Sequence, residues 1–374
     1  MKKKIAIISV GRSDYGIMKN IIEKFFSSNK FETYLIIGSA HLSKSFGKTF
    51  KEIDTKKIKK KNIFKINYPI NIKGLKNMTM QYFSSTLLYM DNFIKKYSLD
   101  GILILGDRYE MIAAAHAAFN LNVKIFHFCG GSETLGSHDN EYRYCISKMS
   151  FAHFLETKHH KMNLIKSNIK RNLYLVGAPA LESIKKIKFS KEYLFNKYNL
   201  DTQKKIIISC FHPETNKSLN YNINILKNLI IFLKKKKNLN IIFTYPNADY
   251  GYNKFITEIN KLNKYSNIYL VKHLGTNDYY NFLKYSSCLI TNSSSGIIES
   301  ASFKIPTINI GLRQKKRYAP PNVVHCEKVT SKTINKFYKK INSKYFLNSI
   351  KTLKNPYYKS KCSEKVYNII DSLI

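Results

Sequence analysis

Unbroken apolar runs alternating with stretches of helical period constrain this chain more than any other feature. The runs at 5–10, 32–38, 101–106, 123–128, 205–210, 240–245, 267–271 and 288–291 show little of the apolar–polar alternation that marks a strand with one wet face. Strands of that kind are buried on both sides, and helices between them make parallel crossovers. The fold class this predicts is α/β, with two facing Rossmann-like doubly wound domains, because 374 residues suit two cores better than one. The N-terminal domain is expected at 1–190 and the C-terminal domain at 200–350, joined by a Lys-rich helix ending about Leu200. The last helix, around 366–373, is expected to pack back on the first domain, so that 355–374 completes it. Residues 43–76 read as surface loops with one weak strand, and 143–154 as a helix. Ligands of such sheets bind at strand carboxyl ends, here expected in the cleft between the domains.

The segment 287–317, SCLITNSSSGIIESASFKIPTINIGLRQKKR, reads as strand, small-residue turn, helix start and strand. A turn of that kind offers backbone N–H groups, hydroxyls and the positive end of a helix to an anion. Gly296 would let a bulky anion come close. Glu299, one turn on, is poorly placed against phosphate but suited to the two hydroxyls of a ribose, so a nucleoside diphosphate meets both demands. An ordinary capped helix would use the same Ser and Asn residues.

Lys plus Arg number 63 against 24 for Asp plus Glu, a formal net charge of +39. This admits a polyanion-binding protein. The excess is nearly all Lys, in runs without interleaved Arg or aromatic residues, which reads as solvated faces rather than a nucleic-acid surface. The six Cys (129, 145, 210, 288, 326, 362) show neither a CxxC pair nor metal-ligand spacing. A reduced, cytoplasmic protein is expected, as a homo-oligomer. The basic start MKKKIAIISVGR reads as a first strand rather than a signal peptide. No run reaches the roughly eighteen apolar residues of a membrane span, so no stable membrane insertion is expected.

Loops leaving strand ends at 11–16, 106–110, 130–143 and 211–215, with His127 just before the third, supply Arg12, Asp14, Asp107, Arg108, Glu110, Glu133, His138, Asp139, Glu141, Arg143 and His212. Carboxylates, a His and Arg groups about a phosphate pocket can carry out acid–base chemistry on a sugar whose leaving group is the diphosphate. The plainer alternatives are that Asp107 and Asp139 cap helices, that Arg143 pairs with a neighbouring carboxylate and that His127 is a satisfied core residue.

The motifs GRSDYG (11–16), GDRYEMIAAA (106–115), GGSETLGSHDNEYRYCISKMSFAHF (130–154), VGAPALESI (176–184), FHPET (211–215), YPNAD (245–249) and NSSSGIIESASFKIPTINIGLRQKKR (292–317) resemble the hydrolysing UDP-N-acetylglucosamine 2-epimerases and their relatives in sialic and legionaminic acid synthesis. The likeness runs in order over most of the chain. It implies a glycosyltransferase-B type fold and no metal or redox cofactor. It also implies loss of the C2 proton as the nucleoside diphosphate leaves C1, then water addition and release of the free 2-epimer. Carried over, Arg12 would reach the diphosphate, Ser293, Ser294, Ser295 and Gly296 would cradle it, Glu299 would hold the ribose and Arg313 would sit nearby. Asn247 would be a further substrate contact. Asp107 and Asp139 would be carboxylates around C1 to C3, and Arg143 and His212 would lie on sugar or phosphate.

The family usually reads H-x-H-G-G-E-x-T-x-G-x-x-D-E here. This chain has Cys129 for the second His, Ser132 for the catalytic Glu, Asn140 for the acidic residue after Asp139, and Tyr144 for a His after Arg143. Ser is no base near neutral pH without help, so Glu133, one position along, is the expected substitute. The alternative on the same scaffold is a transferase that moves the sugar to an acceptor.

Overall fold

The computed structural model describes residues 1–38, 41–42, 53, 55–68, 75–135, 138–246 and 252–374, and only the backbone of 12, 13, 75–78 and 252. The chain divides into two units. The first comprises Met1–Ser132, Asp139–Ser183 and Tyr357–Ile374; the second comprises Glu133–His138 and Ile184–Pro356.

The first unit is built on seven parallel strands: β1 (Lys3–Ser9), β2 (Phe31–Ile37), β3 (Ile63–Lys65), β4 (Gly101–Leu105), β5 (Lys124–Phe128), β6 (Ala152–Leu155) and β7 (Leu173–Leu175). Their order is β3-β2-β1-β4-β5-β6-β7. The connections run through α1 (Arg12–Phe26), α2 (Leu75–Tyr97), α3 (Tyr109–Asn120), α4 (Asp139–Met149) and α5 (Lys158–Lys166). Successive residues of a strand face opposite sides, and here both sides are dry. Ile5, Ile7, Leu103 and Phe126 meet Met18, Ile21 and Phe25 of α1. Ala6, Ile8, Ile102 and Ile104 meet Met90 and Phe93 of α2 and Met111, Ala114 and Ala115 of α3. That is why the runs are unbroken in sequence.

The C-terminal helix Cys362–Leu373 belongs to this unit and puts Val366 and Ile370, both fully buried, against the α1 side of the sheet. Its first turn is held by Glu182, whose carboxylate accepts from Ser363 N and Ser363 Oγ, each at 3.0 Å. Gly177 takes φ +87°, and a Cβ there would come 2.8 Å from the Lys359 nitrogen. The motif VGAPALESI thus anchors the returning chain.

The second unit has six parallel strands: β8 (Lys205–Cys210), β9 (Leu239–Thr244), β10 (Ile268–Val271), β11 (Ser286–Thr291), β12 (Thr307–Ile310) and β13 (Val323–Cys326), ordered β10-β9-β8-β11-β12-β13. Helices α6 (Lys191–Tyr198), α7 (Leu219–Lys234), α8 (Tyr252–Asn260), α9 (Gly275–Tyr285), α10 (Ser295–Ile298), α11 (Ser331–Ile341) and α12 (Lys344–Ser349) complete it. Ile207, Ile241 and Ile290 pack with Leu226 and Leu229 of α7, while Ile206, Ile208 and Leu289 pack with Tyr280, Phe282 and Leu283 of α9. The fold is therefore two doubly wound parallel-sheet units. Each reverses its strand order once, between β1 and β4 and between β8 and β11.

Two sequence expectations fail locally. The helix predicted over 143–154 begins at Asp139, ends at Met149 and gives way to β6. The Ser150 hydroxyl caps the Ile146 carbonyl, and Phe151 N donates to Ile125 O at 2.9 Å, which draws the chain onto β5. The helix predicted after the serine turn is the four-residue α10, followed by a 3₁₀ turn over Ser300–Phe303. Ser300 Oγ donates back to the Gly296 carbonyl at 2.7 Å, and Pro306 follows, so the helix does not propagate.

Ile370→Ala should cost about 2–4 kcal/mol of unfolding free energy by urea denaturation, because it opens a cavity under a fully buried side chain. A loss below about 0.5 kcal/mol, the scale of a surface substitution, would refute this packing.

Candidate active site

In doubly wound sheets the loops leaving the strands on either side of the order reversal diverge and leave room for a ligand. In the first unit these loops follow β1 and β4. Asp14 Oδ2 accepts from Val10 N at 3.1 Å and from Gly11 N at 3.0 Å, so Asp14 caps its own helix. The side chain of Arg12 lies outside the described residues. Gly106, at φ +82°, turns the chain out of β4 and presents Asp107. Asp107 Oδ2 accepts from Arg143 Nη2.

Arg143 is fully buried and gathers the neighbourhood. Its Nη1 donates to the Ser132 carbonyl and, at 2.8 Å, to Asn140 Oδ1. Burial opposes its charge, but Asp107, with Asp139 adding, keeps the guanidinium above its ordinary value. Asp139, half-buried, stands one turn before it on α4. Arg143, Asp107, Asn140 and the 132 backbone are thus brought together, and the pairing of Arg143 with a carboxylate is real.

Arg108 forks onto fully buried Glu110, Nε to Oε2 and Nη2 to Oε1 at 3.1 Å each. His127 Nε2 must donate to the Gly106 carbonyl at 2.8 Å, so Nδ1 accepts from Ser147 Oγ at 3.1 Å. Burial pushes its pKa down to about 3, and it is a neutral strut. Ser132 is fully buried, and its Oγ has no hydrogen-bond partner among the described residues. Glu133 is half-buried and falls, with the rest of 133–138, in the second unit. His138 is exposed there, and Glu141 is exposed on α4.

In the second unit, the loops after β8 and β11 are stitched by Asn292, which is fully buried. Asn292 Oδ1 accepts from His212 N and its Nδ2 donates to His212 O, both at 2.7 Å. His212 Nε2 lies 3.4 Å from Cys210 Sγ. Burial, with Arg313 adding, lowers its pKa to about 3, so it meets a ligand as neutral imidazole. Arg313 Nη1 donates to the Asn292 carbonyl at 3.3 Å. Glu214, buried, accepts from Leu312 N at 2.6 Å and Arg313 N at 3.3 Å, fixing the loop after β12.

The serine turn is a hydroxyl chain. Ser293 N donates to Thr291 Oγ1 at 3.0 Å, Ser295 Oγ to Ser293 Oγ at 3.3 Å, and Tyr279 Oη meets Ser295 Oγ at 2.6 Å. The Ser294 carbonyl accepts from Ile297 N and Ile298 N. Gly296 is required by packing: a Cβ there would come 2.6 Å from Thr291 Cγ2. Glu299, half-buried, accepts from Tyr280 Oη at 3.0 Å. Burial raises its pKa to about 7 against that hydrogen bond. Asn247 lies outside the described residues. Sequence reasoning gave no role to Asn292, Glu214 or the two tyrosines. Only the polar atoms of FHPET and NSSSG hinted at the first two, and α9 went unread.

These features define a two-unit α/β protein with polar, loop-borne chemistry at each strand-order reversal. The chain belongs to the UDP-N-acetylglucosamine 2-epimerase family, which matches residues 23–371. A UDP-N,N'-diacetylbacillosamine 2-epimerase (hydrolyzing) of Legionella pneumophila is 30% identical, covering 100% of this chain and 97% of that protein. A GDP/UDP-N,N'-diacetylbacillosamine 2-epimerase (hydrolyzing) of Campylobacter jejuni is 33% identical over 92% of this chain and 89% of that protein. The UDP-GlcNAc 2-epimerase of Neisseria meningitidis, solved with UDP-GlcNAc, superposes with a TM-score of 0.83 at 17% identity over 100% of both chains and shares the fold. Among the described residues, no helix is long and apolar enough to cross a membrane.

Gly296→Ala should weaken UDP binding at least about tenfold, the scale of a lost interaction of roughly 1.4 kcal/mol. Adding Thr291→Ser, which removes the crowding methyl and keeps the hydroxyl, should restore most of it. Calorimetric titration of both variants checks this, and equal affinities for wild type and Gly296→Ala would refute it.

Glu299 gives a second test. The folded state keeps its proton between pH 4.5 and about 7, where the unfolded chain has released it, so stability falls as pH rises through that window. Glu299→Gln should therefore raise ligand-free stability at pH 8 by about 1–2 kcal/mol and leave it unchanged at pH 4. Denaturation curves at the two pH values decide it.

Proposed function

We propose that this chain is a hydrolysing nucleotide-sugar 2-epimerase. Its substrate is a UDP- or GDP-linked 2-acetamido sugar of the N-acetylglucosamine or N,N'-diacetylbacillosamine kind. The observation that carries the reading is the Arg143 cluster: a fully buried guanidinium holds Asp107 at the exit of β4 together with Asn140 and the 132 backbone. A carboxylate fixed so, at a strand-order reversal, is placed for proton transfer rather than for fold stability alone. The names of the relatives favour 2-epimerisation over transfer to an acceptor.

In this reading the second unit binds the nucleotide. Ser293, Ser294, Ser295 and Gly296 cradle the diphosphate, with Arg12 and Arg313 supplying positive charge and Asn247 a further contact. Glu299 accepts from the ribose hydroxyls, and His212 donates from its neutral ring. A carboxylate of the set Asp107, Glu133 and Asp139 takes the proton from C2, the electron pair forms the C1–C2 double bond, and the C1–O bond breaks as the nucleoside diphosphate leaves. Water then adds its hydroxyl to C1 and a proton returns to C2 from the other face. The products are the free 2-epimer and the nucleoside diphosphate.

Because the 132 backbone is pinned by Arg143 and the Ser132 hydroxyl is buried, Glu133 is the carboxylate this loop has to offer. The reading places the enzyme in the cytoplasm, as a homo-oligomer; the six cysteines are all thiols rather than disulfides. Light scattering tests the assembly.

Proton NMR in deuterated water, with UDP-N-acetylglucosamine and the UDP- and GDP-linked diacetylated sugars, should show a free 2-epimer deuterated at C2, formed in step with nucleoside diphosphate. Asp107→Asn should lower kcat at least about a hundredfold with little change in KM, and Glu299→Ala should mostly raise KM. Nucleotide release that waits for an added acceptor would overturn the epimerase reading.

A further inference from the structure

Helix α9 carries Tyr279 and Tyr280 in succession, and both hydroxyls reach the segment 293–299. Tyr280 is 2% exposed and packs its ring on Phe303 at 5.8 Å. Phenylalanine would fill those ring sites equally well; α9 itself uses Phe282 in the same core. What the two tyrosines add is a hydroxyl each, and each hydroxyl meets a polar side chain there. Tyr280 Oη donates to Glu299 Oε1 at 3.0 Å, and Tyr279 Oη lies 2.6 Å from Ser295 Oγ.

We infer that Tyr279 and Tyr280 are positioning residues for the nucleotide: Tyr280 aims the Glu299 carboxylate at the ribose, and Tyr279 sets the direction of the serine hydroxyls at the diphosphate. The inference rests on the reading of 293–299 as the nucleotide segment. Tyr280 takes one oxygen of Glu299, and no other hydrogen bond reaches that carboxylate from the described residues. The second oxygen is left for two ribose hydroxyls.

At the other end, Ser293 Oγ accepts from Ser295 N at 3.4 Å and from Ser295 Oγ at 3.3 Å. An oxygen that already accepts twice directs its own proton outward, where a phosphate oxygen accepts it. For Ser295 to donate to Ser293, Tyr279 must donate to Ser295. The chain of donors therefore begins at Tyr279.

Tyr280 also sets the charge of Glu299. Its hydrogen bond lowers the Glu299 pKa against burial, which holds it at about 7. The other titratable neighbour is Tyr279, whose interaction with Glu299 is repulsive once ionised. Lys304, past the 3₁₀ turn, is engaged with the Lys351 carbonyl, Arg313 donates to the Asn292 carbonyl, and Cys288 of β11 is fully buried. Ribose hydroxyls donate to the charged carboxylate, so nucleoside affinity falls as pH drops below about 7. Removing the Tyr280 hydroxyl moves that fall to higher pH.

The test is calorimetric titration of the full chain with UDP, GDP and the matching nucleosides from pH 5.5 to 8.5, using wild type, Tyr279→Phe and Tyr280→Phe. Tyr279→Phe should weaken the diphosphates about five- to tenfold, the worth of roughly one net hydrogen bond, and leave the nucleosides unchanged. Tyr280→Phe should weaken diphosphates and nucleosides alike and shift the midpoint of the pH dependence upward. In a Glu299→Gln background it should produce no pH shift, which separates its role from a loss of packing. Wild type that binds neither diphosphate would overturn the nucleotide reading and the inference with it. Wild type that binds, with both Phe variants matching it at every pH, would overturn the inference alone.

Discussion

A guanidinium with no access to water has to be surrounded by acceptors, and the first unit is arranged to supply them to Arg143. An ion of this kind costs several kcal/mol to bury unless it is paired and its donors are met. Asp107, the Ser132 carbonyl and Asn140 meet its two terminal nitrogens, and they come from three different segments: the exit of β4, the Gly-rich loop after β5, and the first turn of α4. Satisfying one buried charge therefore fixes the mutual geometry of everything at the strand-order reversal. Asp107 gains a fixed direction from the same contact. The arrangement is asymmetric in its consequences, because losing a partner leaves a buried charge, whereas losing Arg143 leaves only looser loops.

The second unit fixes its loops without a buried guanidinium. Asn292 holds the loop after β8 by a reciprocal pair of hydrogen bonds to the His212 backbone, and Glu214 holds the loop after β12 through backbone N–H groups. In the proposed reading, loops held without a buried cation leave no strongly paired guanidinium to be released when a diphosphate binds. The remaining charge at the turn, Glu299, is held against its own burial, and its cost to the ligand-free fold is relieved only by something that donates to it. Stability is spent at the point where binding can return it.

The unbroken apolar runs made the parallel sheets legible, because burial on both faces is visible as composition. Short strands were not: β6 has four residues, and β13 mixes buried with half-buried positions, so neither rises above the helical pattern beside it. The serine turn was legible as a turn, but the packing demand on Gly296 was not, since the crowding atom is a methyl of Thr291 five residues back. Tyr279 and Tyr280 were hidden by their own ambiguity. An aromatic pair on an amphipathic helix reads as core, and the rings are core; only their hydroxyls, reaching across to α10 and Glu299, say otherwise.

Ser132 and Asn140 are best understood through the same buried arginine. Asn140 keeps an acceptor on Arg143 but brings no charge, Ser132 contributes its carbonyl, and Asp107 supplies a hydrogen-bonded anion to the guanidinium. A second carboxylate on the same cation would share its field and compete for its donors. With a neutral amide in that place, the hydrogen bond from Arg143 to Asp107 is not contested by a carboxylate at 140, and Asp139, one turn before Arg143, adds its field to the guanidinium. In the proposed reaction, a carboxylate held in one direction by a buried cation meets the sugar in the same place for the elimination and for the addition that follows, which two proton transfers at one carbon require.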